Sequence, residues 1–397
     1  MKLLFSLTLS VLLFAVPLET LIENAKNNHI SLKTIEQRVS AIDNDIDISQ
    51  NFADPLISLS VSDIQFNDVT DRTREPMQAT SITLQQKIPY FGKRDALGKK
   101  ITAKKRVLEL SIDEMRVKLV KAIKITAYSI WQIEEELQII DEYFTLTKQN
   151  IELSSGYASS DSSSHMSIMS AEMTLSELRI KQSKLDSLRK GLYKKLSYLS
   201  AMEVTKLDIQ LEIEQHEHIS SYTAKKTKNA SYKIKEASLK LSEEDIKVQE
   251  LNKYSDPVIS AGYFAREKFN DYANIGVTFS LPLYGTQDLQ IQKAKKISLA
   301  SKSEIADFNN LLDSQIAQIH SQIQDAYRVY DIIHNQSMPQ IEHMFELSSS
   351  SVKNGEELFI YINLLERKLA LDEKSIAVVA SYNKYLAELE SLVGAMQ

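Results

Sequence analysis

His165, Met166, Met169 and Met173 are the residues of this sequence that most invite a chemical reading. The methionines stand at i, i+3 and i+7, on one helix face, and thioethers suit a soft ion such as Cu(I). Methionine at that spacing usually packs, so packing is the expectation and soft-metal contact the alternative. A second cluster, His216-Glu217-His218 preceded by Glu212 and Glu214, offers metal-ligand types but reads as a solvated connection. Glu134-Glu135-Glu136 reads most simply as the exposed face of a supercoiled helix. With no Cys there is no thiolate centre, Cys nucleophile or disulfide framework. No Gly-rich phosphate loop, nucleophile–base pairing or zinc-protease motif appears. Neither an enzyme active site nor a cofactor is expected.

The elements that would position these residues follow a plan that runs twice. Ile88-Pro89-Tyr90-Phe91-Gly92 is echoed by Leu281-Pro282-Leu283-Tyr284-Gly285, an offset of 193 from Pro89 to Pro282. The same offset carries Leu119, Ile123, Thr126, Ile130, Ile133, Leu137 and Ile140 onto Leu312, Ile316, Ile319, Ile323, Ala326, Tyr330 and Ile333. Spacings alternate four and three in both copies, the mark of a helix packing along a left-handed supercoil. Gly 9 and Pro 7 in 397 residues are well below average usage, which suits few turns and long helices. A net charge of −6 implies no nucleic-acid partner.

Lys2 precedes an apolar run, Leu3 to Val16, too short to span a bilayer and of signal-peptide length. Residues 1–15 are read as a cleaved signal peptide ending at Ala15, with no Cys following for lipidation. The first repeat is then 16–202 and the second 221–397, joined by a connection at 203–220. A helix is expected over Leu18 to Gln50, ended by Asp54-Pro55 because the residue before proline avoids the α region. Strands are expected at 56–66, 78–89, 258–264 and 272–284. In each, Ile, Leu, Val, Ala, Tyr or Phe alternate with Ser, Thr, Gln, Asn or Gly. Long helical hairpins follow at 93–199 and 286–393. Their first arms, Lys93 to Leu153 and Thr286 to Leu347, would each extend about 90 Å. Met338-Pro339 is expected to kink the second arm. Ser-rich turns precede returning helices at Ser167 to Leu199 and Glu357 to Val393.

Four strands with one apolar face cannot close a barrel, and open sheet edges are not tolerated in lipid. The expected fold is therefore mainly α with a transmembrane β-barrel. Three copies would supply twelve strands, and the barrel would continue into an α-helical coiled-coil tunnel. Polar faces would line a water-filled lumen and apolar faces would meet lipid.

Over essentially its whole mature length the sequence resembles the TolC-type outer-membrane efflux proteins. The resemblance rests on the duplicated strand–loop–strand–helix plan, the Asp-Pro steps that open the strands, and the two strand-exit turns. Lys87-Ile88-Pro89-Tyr90-Phe91-Gly92-Lys93-Arg94 is similar to the branch that exports heavy-metal cations with resistance–nodulation–division pumps. Ile168-Met169-Ser170-Ala171-Glu172-Met173-Thr174-Leu175 resembles the family's apolar-apolar-x-Ala-x-x-x-Leu segment, which puts Met169 and Met173 at packing positions. The resemblance implies a homotrimer in the outer membrane with a periplasmic tunnel. It also implies a periplasmic adaptor, an inner-membrane pump and passive conduction of metal cations or drugs. The exit duct of a type I protein secretion system is the alternative within the fold, and a periplasmic adaptor the rival of another class. Pro89, Gly92, Pro282 and Gly285 would set the barrel-to-tunnel junction, and Gly156 and Gly355 would mark the adaptor-facing tips. Family members often carry a carboxylate ring just after the second tip, but this sequence reads Tyr361-Ile362-Asn363-Leu364-Leu365. A gate packed around Tyr361 and Leu364 is therefore expected, with Glu356 and Glu357 as the competing source of charge.

Overall fold

The computed structural model describes residues 15–157, 162–214, 219–349 and 355–394. In chain order the first elements are β1 (Val16–Pro17), α1 (Leu18–Asn28), α2 (Ile30–Gln50), β2 (Leu56–Ser62) and β3 (Ala79–Lys87). Then come α3 (Lys93–Tyr157), α4 (Ser162–Ser200), β4 (Leu207–Asp208), α5 (Ile219–Thr223) and α6 (Ala230–Leu251). The remainder is β5 (Val258–Ala265), β6 (Tyr272–Thr278), α7 (Thr286–Ile332), α8 (Met338–Ser349) and α9 (Gly355–Leu392). They pack into two units, one of 1–34, 113–230 and 309–397, the other of 35–112 and 231–308.

The second unit holds a four-stranded antiparallel sheet in the order β2-β3-β5-β6. Its register joins the two halves of the sequence, because β3 of the first copy pairs with β5 of the second. Rows across the sheet keep the alternation in phase. Leu59, Ile82, Tyr263 and Ala273 stand opposite one another, as do Ser58, Thr83, Gly262 and Asn274. Two strands end earlier than the sequence suggests. The strand expected at 56–66 stops at Ser62 because Asp63 adopts φ 55, the left-handed region, and turns the chain away. The strand expected at 272–284 stops at Thr278, opposite Val258, where the partner strand begins after Pro257. Beyond it the Ser280 N–H turns to the Ser255 hydroxyl at 2.9 Å.

Both strand-exit turns close on a glycine with positive φ, +84 at Gly92 and +69 at Gly285. Each glycine carbonyl accepts the N–H four residues on, from Ala96 at 2.9 Å and Leu289 at 3.2 Å, and so starts its helix. A side chain at Gly92 would be strained whatever the space. Gly92→Ala is expected to cost about 1–2 kcal/mol. Gly191, with nothing near its would-be Cβ inside α4, should gain roughly 0.5–1 kcal/mol as Ala. Thermal unfolding of the detergent-solubilised protein checks both signs.

The first unit is a helical body built on the duplicated seam. Leu119, Ile123, Thr126, Ile130, Ile133 and Ile140 are all buried, and so are Leu312, Ile316, Ile319, Ile323, Ala326 and Ile333. In α9, Ala387 joins the cluster of Ile123 and Ile130, while Tyr382 and Leu389, with Val393 just beyond the helix, join that of Ile316 and Ile323. The helix expected over Leu18 to Gln50 is two helices, broken at His29 with ψ 128. The His29 imidazole accepts the Ser31 N–H at 3.2 Å, so a side chain caps the second helix where the pattern looked continuous. At the expected kink, Ile333–Ser337 form a π-helical turn just before Pro339, which has no N–H to give an α-helical bond. Within the connection at 203–220, Leu207–Asp208 pair in parallel with Val16–Pro17. Residues 1–14, and with them most of the expected signal segment, lie outside the described residues.

Candidate functional site

The sheet presents two chemically opposite faces. Ile57, Leu59, Val61, Ile82, Leu84, Ile259, Tyr263, Ile275 and Val277 form a contiguous apolar face, every one exposed, with Ile275 at 85%. The other face carries Ser58, Ser60, Ser81, Thr83, Gln85, Ser260, Asn274 and Thr278. Small residues let the strands approach closely there. A Cβ at Gly276 would lie 2.9 Å from the Ser260 hydroxyl, and one at Gly262 would lie 2.9 Å from the Thr83 hydroxyl. An apolar face on this scale, left open to solvent, marks a surface meant for another apolar phase. Strands β2 and β6 are the edges, without a further strand beside them among the described residues.

At the helix end of the sheet the junction is clamped by Asp256. Its carboxylate accepts the Tyr90 N–H at 2.9 Å and pairs with Lys93 at 2.7 Å and Lys87 at 3.2 Å. Lys93 also donates to the Tyr254 carbonyl at 2.6 Å, and the Tyr90 and Tyr254 rings stack at 4.4 Å. These groups border a polar cleft of about 300 Å³ that includes Ser280 and Pro282. The Pro89–Gly92 turn is thus held by contacts about 160 residues distant in sequence, which no local motif signals. Asp256 is the residue of this junction that pattern reading missed, although its Asp-Pro step was visible.

In the first unit, Tyr361 and Leu364 do not face outward. They are 3% and 8% exposed, and Tyr361 packs in a cluster with Ile133, Ile140, Tyr143, Ala171 and Leu365 while its ring lies 5.0 Å from Phe345. Both side chains are therefore covered by their own chain. Phe359, Ile360 and Asn363 are the exposed residues of the same turns. Glu357 is partly exposed, and Gly156 and Gly355 lie at helix ends, α3 and α9 respectively. The tips between them lie outside the described residues.

Carboxylates in this unit serve to tie helices together. Asp372 accepts the Tyr143 hydroxyl at 2.6 Å and Lys368 at 3.3 Å, Glu366 accepts Thr174 at 2.8 Å, and Glu373 pairs with Lys181. Burial, reinforced by Asp372, raises the Tyr143 hydroxyl pKa far above its ordinary range, so it stays a donor. Glu134 accepts the Tyr193 hydroxyl at 2.8 Å, and Glu136 accepts Gln132 at 2.9 Å. Glu134 to Glu136 are thus half-buried, with Glu134 and Glu136 partnered, and not simply a solvated face.

Met166, Met169 and Met173 are 74, 68 and 65% exposed, with His165 exposed beside them. With Ile180 they form an exposed stripe along α4. Among the described residues no group of three His, Cys, Asp or Glu could hold a metal ion. His216, Glu217 and His218 lie outside the described residues. Among the described residues no helix is long and apolar enough to cross a membrane.

No protein-family model and no curated protein matches the sequence. The fold matches solved channels closely. CusC, whose structures concern folding and transmembrane channel formation, superposes with a TM-score of 0.78 at 11% identity, over 95% of this chain and 92% of CusC. The outer membrane protein VceC of Vibrio cholerae gives 0.75 at 14% identity, over 95% of this chain and 96% of VceC. The MtrE outer membrane channel of Neisseria gonorrhoeae, in its open state, gives 0.76 at 12% identity, over 95% and 88%. The fold implied by the sequence resemblance is thus the fold of this chain.

Proposed function

We propose that this chain is the outer-membrane channel of a tripartite efflux system in a double-membraned bacterium. It acts as a passive exit duct and not as an enzyme. The observation that carries the reading is the sheet, apolar and exposed on one face, polar on the other, and unpaired at both edges. In lipid such edges must be paired, and a cyclic homotrimer would join β6 of one copy to β2 of the next and close twelve strands. The open stripe of Met166, Met169, Met173 and Ile180 supports the same assembly, because a heptad-spaced apolar seam without a partner in its own chain suits a neighbouring helix. Energy coupling would reside in an inner-membrane pump, of the resistance–nodulation–division class, reached through a periplasmic adaptor that meets the tips near Gly156 and Gly355. The likeness to solved channels supports this reading. Metal cations and drugs are the two substrate classes to be separated.

Light scattering on detergent-extracted protein is expected to give three times the protomer mass. The same preparation should insert as conducting pores in planar bilayers. A monodisperse monomer in water without detergent would contradict the barrel.

A further inference from the structure

The polar face of the sheet is interrupted by two aromatic rings. Phe264 and Tyr272 stand opposite each other in the row that begins Ser60 and Ser81, at the loop end of β5 and β6. Their rings stack in parallel, 4.7 Å apart and 3° from coplanar. Room for Phe264 is made by Gly262, where a Cβ would come within 3.0 Å of the phenyl Cε2. Tyr272 is 39% exposed, so the pair offers a ring to the space above this face. Arg266 completes the group, with its guanidinium 5.0 Å from the Tyr272 ring centroid. It is held there by carbonyls, donating from Nε to Asn270 O at 2.7 Å and from Nη1 to Pro76 O at 3.2 Å. The Asp271 carboxylate beside it accepts instead the Tyr263 hydroxyl and the Arg266 backbone N–H, at 2.8 Å for the latter.

The strands themselves are one-sided in charge, the Asp271 carboxylate lying just outside them in the loop. β2, β3, β5 and β6 contain no Asp or Glu, and their single charged residue is Lys87. A hydrated metal cation finds no carboxylate on these strands. A flat aromatic molecule bearing an anionic group finds both a ring to stack on and a guanidinium for its charge.

We propose that Phe264, Tyr272 and Arg266 form a contact site for planar aromatic anions at the outer end of the duct, one site per chain. This rests on the duct reading and deepens it by favouring organic anions over metal cations as the class conducted. Stacking of a flat ring on an aromatic side chain is sequence-tolerant and weak, which suits a site that must also release what it binds.

The test is single-channel current in planar bilayers with naphthalene carboxylate added to the loop side. Wild-type pores should show transient blockades on the order of tenfold longer than those of Phe264→Leu/Tyr272→Leu, which keeps apolar bulk on the sheet. Cyclohexane carboxylate should block both alike and briefly. Arg266→Gln should remove the preference for the carboxylate over a trimethylammonium naphthalene. Should the double variant fail to insert, Tyr272→Leu alone, with Phe264 still seated over Gly262, takes its place. Equal blockade times in wild type and Leu variants, or equal times for the aromatic and saturated acids, would overturn the site while leaving the duct intact. Absence of any conductance from wild-type protein would instead sink the duct reading itself.

Discussion

Ile275→Arg is expected to abolish or severely reduce membrane insertion, at a cost of about 2–4 kcal/mol for a charge near the bilayer midplane. Ile275 is chosen because it pairs with Ala261 in the middle of β5 and stands among the most exposed apolar side chains of the sheet. Val277, on the same face but one residue from the end of β6, should cost less as Arg, since the penalty falls toward the interface. Asn274→Arg and Thr278→Arg, on the opposite face, should insert normally and change only conductance. The measurement is the heat-modifiable shift of the folded protein in lipid vesicles, beside bilayer current. Equal tolerance at Ile275 and Asn274 would mean that the register of the sheet is wrong, because a one-residue slip exchanges the two faces.

Leu365→Ala is expected to destabilise the helical body by about 2–5 kcal/mol, the range for emptying a buried leucine site. Leu365 is 2% exposed and shares a cluster with Ile133, Ile140, Tyr143, Ala171, Leu178 and Tyr361. Leu364→Ser should also destabilise, since it trades buried methyls for a hydroxyl. Asn363→Ala, exposed immediately before them in sequence, should stay within about 0.5 kcal/mol of wild type. Loss of helical circular dichroism on heating reads all three. An open pore from Leu364→Ser at unchanged stability would instead point to a gate at that position.

The periodic features of the sequence reach the structure nearly intact. The two seams from Leu119 and from Leu312 are buried as their four–three spacing implied, and the strand alternation places every apolar residue of β2, β3, β5 and β6 that was assigned to one face on that face. The glycines of both strand-exit turns take positive φ. Errors fall where one side chain redirects the backbone, as His29 does in capping α2, or where a partner strand runs out, as at Thr278.

Periodicity is a local property, written by residues two, three or four apart, so fold class, strand faces and helix seams could be determined from the sequence alone. Which apolar stripe meets which neighbour is not local. Tyr361 is buried and Met169 exposed although both lie in helices with apolar patterns, because Tyr361 meets residues of α3 and α4 while Met169 meets no described side chain that covers it. The Asp256 clamp and the Phe264–Tyr272 pair arise in the same way, from strand register and from contacts spanning both copies of the repeat. Only the tertiary structure could decide these, because each is set by the energy of two surfaces meeting, and the sequence of one surface does not specify the other.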